Sequence, residues 1–193
     1  MKKLVVVIDM VEGFINFGNL SDPNINRIVP NVVSIIKTAI KNGDKLVSFK
    51  DTHDEDDIEF LIYPVHCVRG TAECNLVPEL LPYENKMKVI EKSTTNGFDT
   101  PKFKELISKN TFDEICVCGC CTDICVSKFL ESLHEYLVSS NKKTKIVVYG
   151  DAVDTFGGEG HNPDEINKKF LEDFKQKYGA EIRISKNQNA LGL

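Results

Sequence analysis

The chain has 193 residues, 41% hydrophobic and 27% charged, which suits one folded domain with its own core and excludes a disordered chain. Lys and Arg number 24 against 29 Asp and Glu, a net charge of −5, which argues against the basic face that a nucleic acid or an anionic membrane requires. Seven cysteines are an odd count, and five of them crowd between Cys116 and Cys125, too closely for a secreted disulfide framework.

The first apolar run, Leu4 to Ile8, is cut by Asp9 before it reaches the length of a signal peptide. No later stretch approaches the ~18 apolar residues of a membrane span, so the expectation is a cytoplasmic chain with reduced thiols. Leu4-Val5-Val6-Val7-Ile8 is a β-branched run of the kind buried on both faces of a parallel sheet. Asp22-Pro23 then offers an N-cap and a proline at the first helical position, and Ile28, Val32, Ile35, Ile36 and Ala39 continue at helical spacing to Asn42-Gly43. Lys45 to Phe49 and Met87 to Ile90 read as the second and third strands. Thr100-Pro101 opens a helix through Phe103, Leu106 and Ile107. Glu114 to Cys118 is the fourth strand, after which Thr122 is expected to cap a long helix through Val126, Phe129, Leu130, Leu133 and Leu137. Lys145 to Tyr149, Pro163 to Tyr178 and Glu181 to Ile184 complete the set as strand, helix and strand. Such alternation predicts an α/β fold: an open, mostly parallel six-stranded sheet with helices on both faces, over a single domain of residues 1–193. The stretch from about Asp51 to Lys86 is long and irregular, and loops of that length inside a compact domain are usually functional.

Ligands of open α/β sheets bind beyond the carboxyl ends of the strands. Those ends carry Asp9, Asp51, His53, Lys92, Gly119 to Cys125, Asp151 and Asp154. A cysteine in the first turn of a helix meets unpaired N–H groups and the positive end of the dipole, so Cys125 is a candidate nucleophile, with Asp9 as base and Lys92 as cation. The bland alternative is a small buried hydrophobe, the usual state of a free cysteine and the reading taken for Cys116 and Cys118. Cys118 and Cys121 also form a C-x-x-C pair, which keeps a thiol–disulfide protein open as a rival. A third class, a non-enzymatic binding module, would tolerate loss of Cys125. Asp51 and His53 flank Thr52 and so point the same way in an extended segment, with Glu59 and His66 further along the loop. Two imidazoles and two carboxylates suit zinc, iron or manganese, although Asp51 to Asp57 taken alone favours a solvated acidic face. His134 is expected at the surface and His161 outside any site. Gly157-Gly158-Glu159-Gly160 lacks the strand–turn–helix setting of a phosphate loop.

The motifs resemble those of the isochorismatase-like cysteine hydrolase superfamily and, within it, the nicotinamidase/pyrazinamidase group, over nearly the whole chain to about Ile184. Val6-Val7-Ile8-Asp9-Met10-Val11-Glu12-Gly13-Phe14 is similar to the opening strand with its catalytic aspartate and pocket phenylalanine. Val89-Ile90-Glu91-Lys92 carries the lysine, and Gly119-Cys120-Cys121-Thr122-Asp123-Ile124-Cys125-Val126 resembles the G-x-x-T-D-x-C-V signature. The resemblance implies a three-layer α/β/α, Rossmann-like sandwich and a triad of Asp9, Lys92 and Cys125. It also implies an oxyanion hole of the Cys121 and Cys125 backbone N–H groups. Asp51-Thr52-His53 and Tyr63-Pro64-Val65-His66-Cys67-Val68-Arg69-Gly70-Thr71 are similar to the metal-loop motifs of nicotinamidases. They imply Asp51, His53 and His66 as ligands of one divalent ion, zinc first, with Glu59 the best match for a variable fourth position. The implied reaction is hydrolysis of nicotinamide to nicotinate and ammonia, a step of NAD salvage. The pyridine nitrogen would lie on the metal and the ring between Phe14 and Tyr63, while Lys92 lowers the thiol pKa. Tyr63 stands where the group usually has tryptophan, and Cys120-Cys121 replaces an aliphatic-alanine pair at a cis bond. Another amidase of the superfamily is the nearest rival. The resemblance also admits a homo-oligomer, for which Tyr136 to Lys143 offers no clear interface. Cys74 has no assigned role.

Overall fold

The computed structural model describes residues 1–185. Its strands are β1 (Lys3–Ile8), β2 (Lys45–Asp51), β3 (Lys88–Lys92), β4 (Glu114–Cys120), β5 (Lys145–Asp154) and β6 (Glu181–Arg183). They form one sheet in the order β3-β2-β1-β4-β5-β6, with every neighbouring pair parallel. The helices are α1 (Glu12–Ile15), α2 (Val29–Asn42), α3 (Pro101–Lys109), α4 (Ser127–Ser139) and α5 (Pro163–Tyr178). Val32, Ile35, Ile36 and Ala39 of α2 pack with Val5, Val7, Cys116, Cys118 and Cys120 on one face of the sheet. Phe103 and Ile107 of α3, Phe129 and Leu133 of α4 and Phe174 of α5 pack with Leu4, Val6, Ile8, Ile115 and Val117 on the other. The result is the three-layer sandwich anticipated from the alternation. β1 and β4 are buried on both faces, which is why they read as continuous apolar runs.

Several details differ from what the sequence leads one to expect, β2 and β4 among them, which each end two residues later, at Asp51 and Cys120. The helix expected from Pro23 begins as a 3₁₀ segment, Pro23–Ile28, capped by the Asp22 carboxylate on the Asn24 N–H, and becomes α-helical only at Val29. Thr122 is not a cap. Cys121 takes that place, Thr122–Val126 forms a single π turn, and α4 follows from Ser127, with the Thr122 hydroxyl buried and unpaired. β5 runs five residues beyond Tyr149 to Asp154 because it re-pairs with β4 past a register shift, Gly119 meeting Val153 and Cys120 meeting Asp154. His134 is half-buried, its ring 5.3 Å from that of Tyr178.

The chain reverses direction across the sheet between β1 and β4, and the crevice beyond their carboxyl ends is the switch point where open α/β folds bind ligands. Gly119 makes that crevice narrow. A Cβ there would sit 2.0 Å from the Ile8 carbonyl oxygen, and its φ of 119° is open to glycine alone. Among the described residues, no helix is long and apolar enough to cross a membrane.

Candidate active site

Asp9 leaves β1 with a left-handed φ of 51°, a conformation aspartate tolerates better than most residues, and its side chain is fully buried. Parallel pairing sets Asp51, the last residue of β2, directly opposite Lys92, the last of β3. The buried Lys92 ammonium lies 2.7 Å from Asp51 Oδ1 and 2.8 Å from Asp9 Oδ2. The first contact is an aligned hydrogen bond. The second is an ion pair without that alignment, so neither Asp9 oxygen has a directional donor and both remain able to take a proton. Cys125 sits in the π turn after β4, buried beside Lys92 and Asp9.

Burial sets the protonation states. It pushes the Asp9 carboxyl up to about 6, with Lys92 pulling the other way. Burial opposes the charge on Lys92, but Asp51 and Asp9 outweigh it and hold the ammonium well above its ordinary range. The Cys125 thiol is driven well above its usual value by burial, against Lys92. The depressed thiol pKa expected of this position is therefore not the resting state, because the thiol is buried and the carboxylates of Asp9 and Asp51 stand close by. At neutral pH the group is a thiol, a carboxylate and an ammonium, and attack by sulfur needs transfer of its proton. A reaction that uses Asp9 as base should lose kcat/KM as pH falls through about 6, where Asp9 takes up its proton. A flat acid limb down to about pH 4, its ordinary range, would remove Asp9 from that role.

The segment after β2 and the segment around Val68 meet in a parallel bridge, with His53 N–H donating to the Cys67 carbonyl at 2.9 Å and Arg69 N–H to the His53 carbonyl at 2.7 Å. This backbone pairing sets the two histidine rings 4.6 Å apart. His53 Nε2 lies 2.9 Å and His66 Nε2 3.1 Å from the same oxygen, Asp51 Oδ2. Both spacings lie close to the ~3.3 Å that neighbouring ligands keep around a tetrahedral ion with 2.0–2.1 Å bonds, and all three ligand atoms lie within 4.8 Å of one another. His66 Nδ1 is 2.7 Å from the Pro64 carbonyl, the orienting contact that leaves Nε2 as the ligand. Burial disfavours charge on Asp51, yet Lys92 and the two imidazoles keep its carboxyl well below the usual carboxylate range. Donor type, convergence and burial all fit a divalent ion. Glu59 lines the cavity but stands apart from this trio, grouped instead with His53 and Asp57. Asp57, whose Oδ2 is 3.1 Å from His53 Nδ1, was not singled out in the acidic run. Its i,i+4 spacing from His53 was the available signal. Asp54, Glu55 and Asp56 are exposed, as a solvated face requires.

Cys74 proves to be a latch for this loop. Its thiol faces the Cys67 and Val68 carbonyls at 2.9 and 3.2 Å, while Glu73 Oε2 accepts the Cys67 N–H at 2.8 Å. Cys118 is sealed in the sheet with its thiol raised by burial, whereas Cys121 lines the cavity, so the C-x-x-C spacing does not make a shared redox site. The Cys120–Cys121 peptide is cis.

These groups open into a cavity of about 480 Å³ lined by Asp51, Glu59, His66, Cys121 and Cys125, with Phe14, Tyr63 and Phe156 as aromatic walls. The Phe14 and Tyr63 rings lie 5.8 and 6.3 Å from that of His66. Phe156 had no sequence signal beyond its place after β5. A larger groove, about 650 Å³, lies at the opposite ends of β2 and β3 and contains none of these groups.

Fold and site together are those of a small α/β hydrolase built on a switch-point crevice. The chain belongs to the isochorismatase family, matching the isochorismatase domain over residues 3–164. It is 32% identical over 172 residues to the uncharacterized isochorismatase family protein PncA of Bacillus subtilis, covering 83% of this chain and 91% of that one. The crystal structure of nicotinamidase/pyrazinamidase PncA from Bacillus subtilis superposes with a TM-score of 0.79 at 30% identity, covering 94% of this chain and 99% of that one. N-carbamoylsarcosine amidase from Thermoplasma acidophilum superposes with a TM-score of 0.81 at 26% identity, covering 98% and 100%.

Proposed function

We propose that the chain is a metal-dependent nicotinamidase, hydrolysing nicotinamide to nicotinate and ammonia through a Cys125 thioester, as a step of NAD salvage. The observation that carries the reading is the placement of two imidazole Nε2 atoms on one oxygen of Asp51, which with His66 lines the same aromatic-walled cavity as Cys125. The similarity to a nicotinamidase/pyrazinamidase supports it. A divalent ion held by Asp51, His53 and His66, zinc by donor preference, supplies a Lewis-acid contact for an aromatic ring nitrogen. Phe14 and Tyr63 bracket the ring and fix the carboxamide carbon near the sulfur, which makes attack effectively unimolecular. As sulfur bonds to that carbon, Asp9 takes the thiol proton, and Lys92 balances the charge on Asp9 and Asp51 throughout. The Cys121 and Cys125 backbone N–H groups receive the carbonyl oxygen as it gains charge. Collapse breaks the carbon–nitrogen bond, and Asp9 returns its proton to the departing nitrogen as ammonia. Water then attacks the thioester and gives a proton to Asp9. The acid leaves, giving its remaining proton to solvent to become nicotinate, and the sulfur recovers its proton from Asp9. Each turn therefore closes with the starting protonation states.

Ammonia release from nicotinamide, measured with elemental analysis before and after chelation, tests this reading. The expected result is turnover by protein carrying about one divalent ion per chain, lost on chelation and restored by adding the ion back. His66→Ala should hold less metal and lose turnover in parallel. Hydrolysis of an N-carbamoyl amino acid with none of nicotinamide, or full turnover after the ion is removed, would overturn it.

A further inference from the structure

The loop between β5 and α5 is fastened around the cavity by contacts that the proposed chemistry does not use. Its Gly157 N–H donates to the Asp22 carboxylate at 2.7 Å. Beyond it, His161 is half-buried with both ring nitrogens engaged, Nδ1 at 2.7 Å from the Phe156 carbonyl oxygen and Nε2 at 2.8 Å from Asp123 Oδ2. Both partners are acceptors, so both nitrogens donate and the ring is an imidazolium. Burial opposes that charge, but Asp123 and the Phe156 carbonyl prevail and raise the His161 pKa. Paired backbone bonds of 3.0 and 3.1 Å between Gly158 and His161 fix the backbone from which the ring projects.

The two partners lead to different parts of the site. Phe156 lines the cavity, and its ring lies flat on the imidazole, with centroids 4.0 Å apart and planes 6° from parallel. A cation against an aromatic face is an attractive contact, and it leaves Phe156 little freedom to tilt. Asp123 belongs to the π turn that carries Cys125, and its other oxygen accepts from the Thr155 hydroxyl at 2.5 Å. Asp123 thus ties the nucleophile turn to the end of β5 through two donors on one loop.

We propose that His161 is a positioning residue with two separable effects: its ring sets Phe156 as the third aromatic wall of the substrate slot, and its Nε2–H, through Asp123, holds the Cys125 turn in register with Asp9. The first effect rests on the proposed aromatic amide. The second holds for any substrate, because it concerns only the placement of the thiol. Gln at 161 keeps an N–H for Asp123 and removes the ring, whereas Phe keeps a ring and removes both donors.

The experiment compares His161→Gln, His161→Phe and Phe156→Leu in steady-state kinetics with nicotinamide, with circular dichroism melts to confirm folding. In parallel, the rate of iodoacetamide alkylation at Cys125 is followed by peptide mass mapping without substrate. The Gln variant and Phe156→Leu should each raise KM about fivefold with little change in kcat, the worth of one ring contact. The Phe variant should keep KM, lower kcat about tenfold and slow Cys125 alkylation by a similar factor, the worth of one charge-assisted hydrogen bond. Equal effects of Gln and Phe on KM and kcat, or alkylation of the Phe variant at the wild-type rate, would overturn the proposal. The alkylation arm uses no amide, so it judges His161 even where nicotinamide itself is not turned over. Should the Phe variant not fold, Asp123→Ala, with Thr155→Val as the control for the lost hydroxyl contact, takes its place in the kcat and alkylation arms, where a loss of about tenfold beyond the Thr155→Val effect is expected and no loss beyond it would overturn the proposal.

Discussion

Cys125→Ala should release ammonia from nicotinamide at least about four orders of magnitude more slowly than the wild type, because Cys125 is the cavity thiol that stands beside the Asp9 base and the Lys92 cation. Cys125 occupies a buried turn beside Asp9 and Lys92, and the aromatic walls and the metal-ligating trio are held by other segments. The variant should therefore keep its fold and bind nicotinamide with an affinity within a few-fold of the wild-type value, read by calorimetry. Such a pattern separates loss of chemistry from loss of binding. Turnover near the wild-type rate would remove the covalent route and leave the cavity as a binding site alone.

Lys92→Met should affect both stability and turnover. The wild-type ammonium lies within 2.8 Å of Asp9 and 2.7 Å of Asp51, all three side chains being buried. A methionine of similar length leaves the buried Asp9 carboxylate without its cation and Asp51 with its imidazoles alone, a loss on the order of 3–5 kcal/mol. A chain of this size would then melt roughly 10 °C lower. The pH dependence gives a second signature. Without Lys92, the Asp9 carboxyl, already pushed up to about 6 by burial, rises further above its unfolded value, while His53 and His66 still face Asp51, so the folded state binds more protons at Asp9 than the unfolded state. The variant should then lose stability as pH rises through the raised Asp9 value and regain it in acid. Turnover should fall by about three orders of magnitude, since Asp9 stays protonated near neutral pH and cannot take the thiol proton. Melts indistinguishable from wild type at both about pH 5 and about pH 8 would show that the pair is not energetically coupled.

The strand ends were legible in the sequence because β-branched runs stop abruptly at charged residues, and parallel pairing then brings those residues together. Asp9, Asp51 and Lys92 were found in that way, and the geometry joins them through one ammonium. The meeting of the metal-loop histidines was implied by the resemblance of their motifs, but not its backbone cause, the His53–Val68 bridge between segments fifteen residues apart. Thr122 misled because a Thr before a helical run resembles a cap, whereas the nucleophile turn closes as a π turn from the Cys121 carbonyl to the Val126 N–H. The thiol was expected to be acidified by the helix terminus and Lys92. Burial, which a sequence does not display, reverses the sign. Phe156 and His161 lie beyond the part of the chain where the motifs fall, and their stacking depends on a glycine-rich turn whose shape spacing alone does not disclose.

The central claim is a covalent acyl intermediate on Cys125, and the direct measurement is mass spectrometry of protein acid-quenched during turnover of nicotinamide. The account predicts a nicotinoyl increment confined to the peptide that carries Cys125, absent in Cys125→Ala and accumulating when the attack of water is slowed. Steady turnover with no modified peptide, or an increment on any other residue, would contradict it.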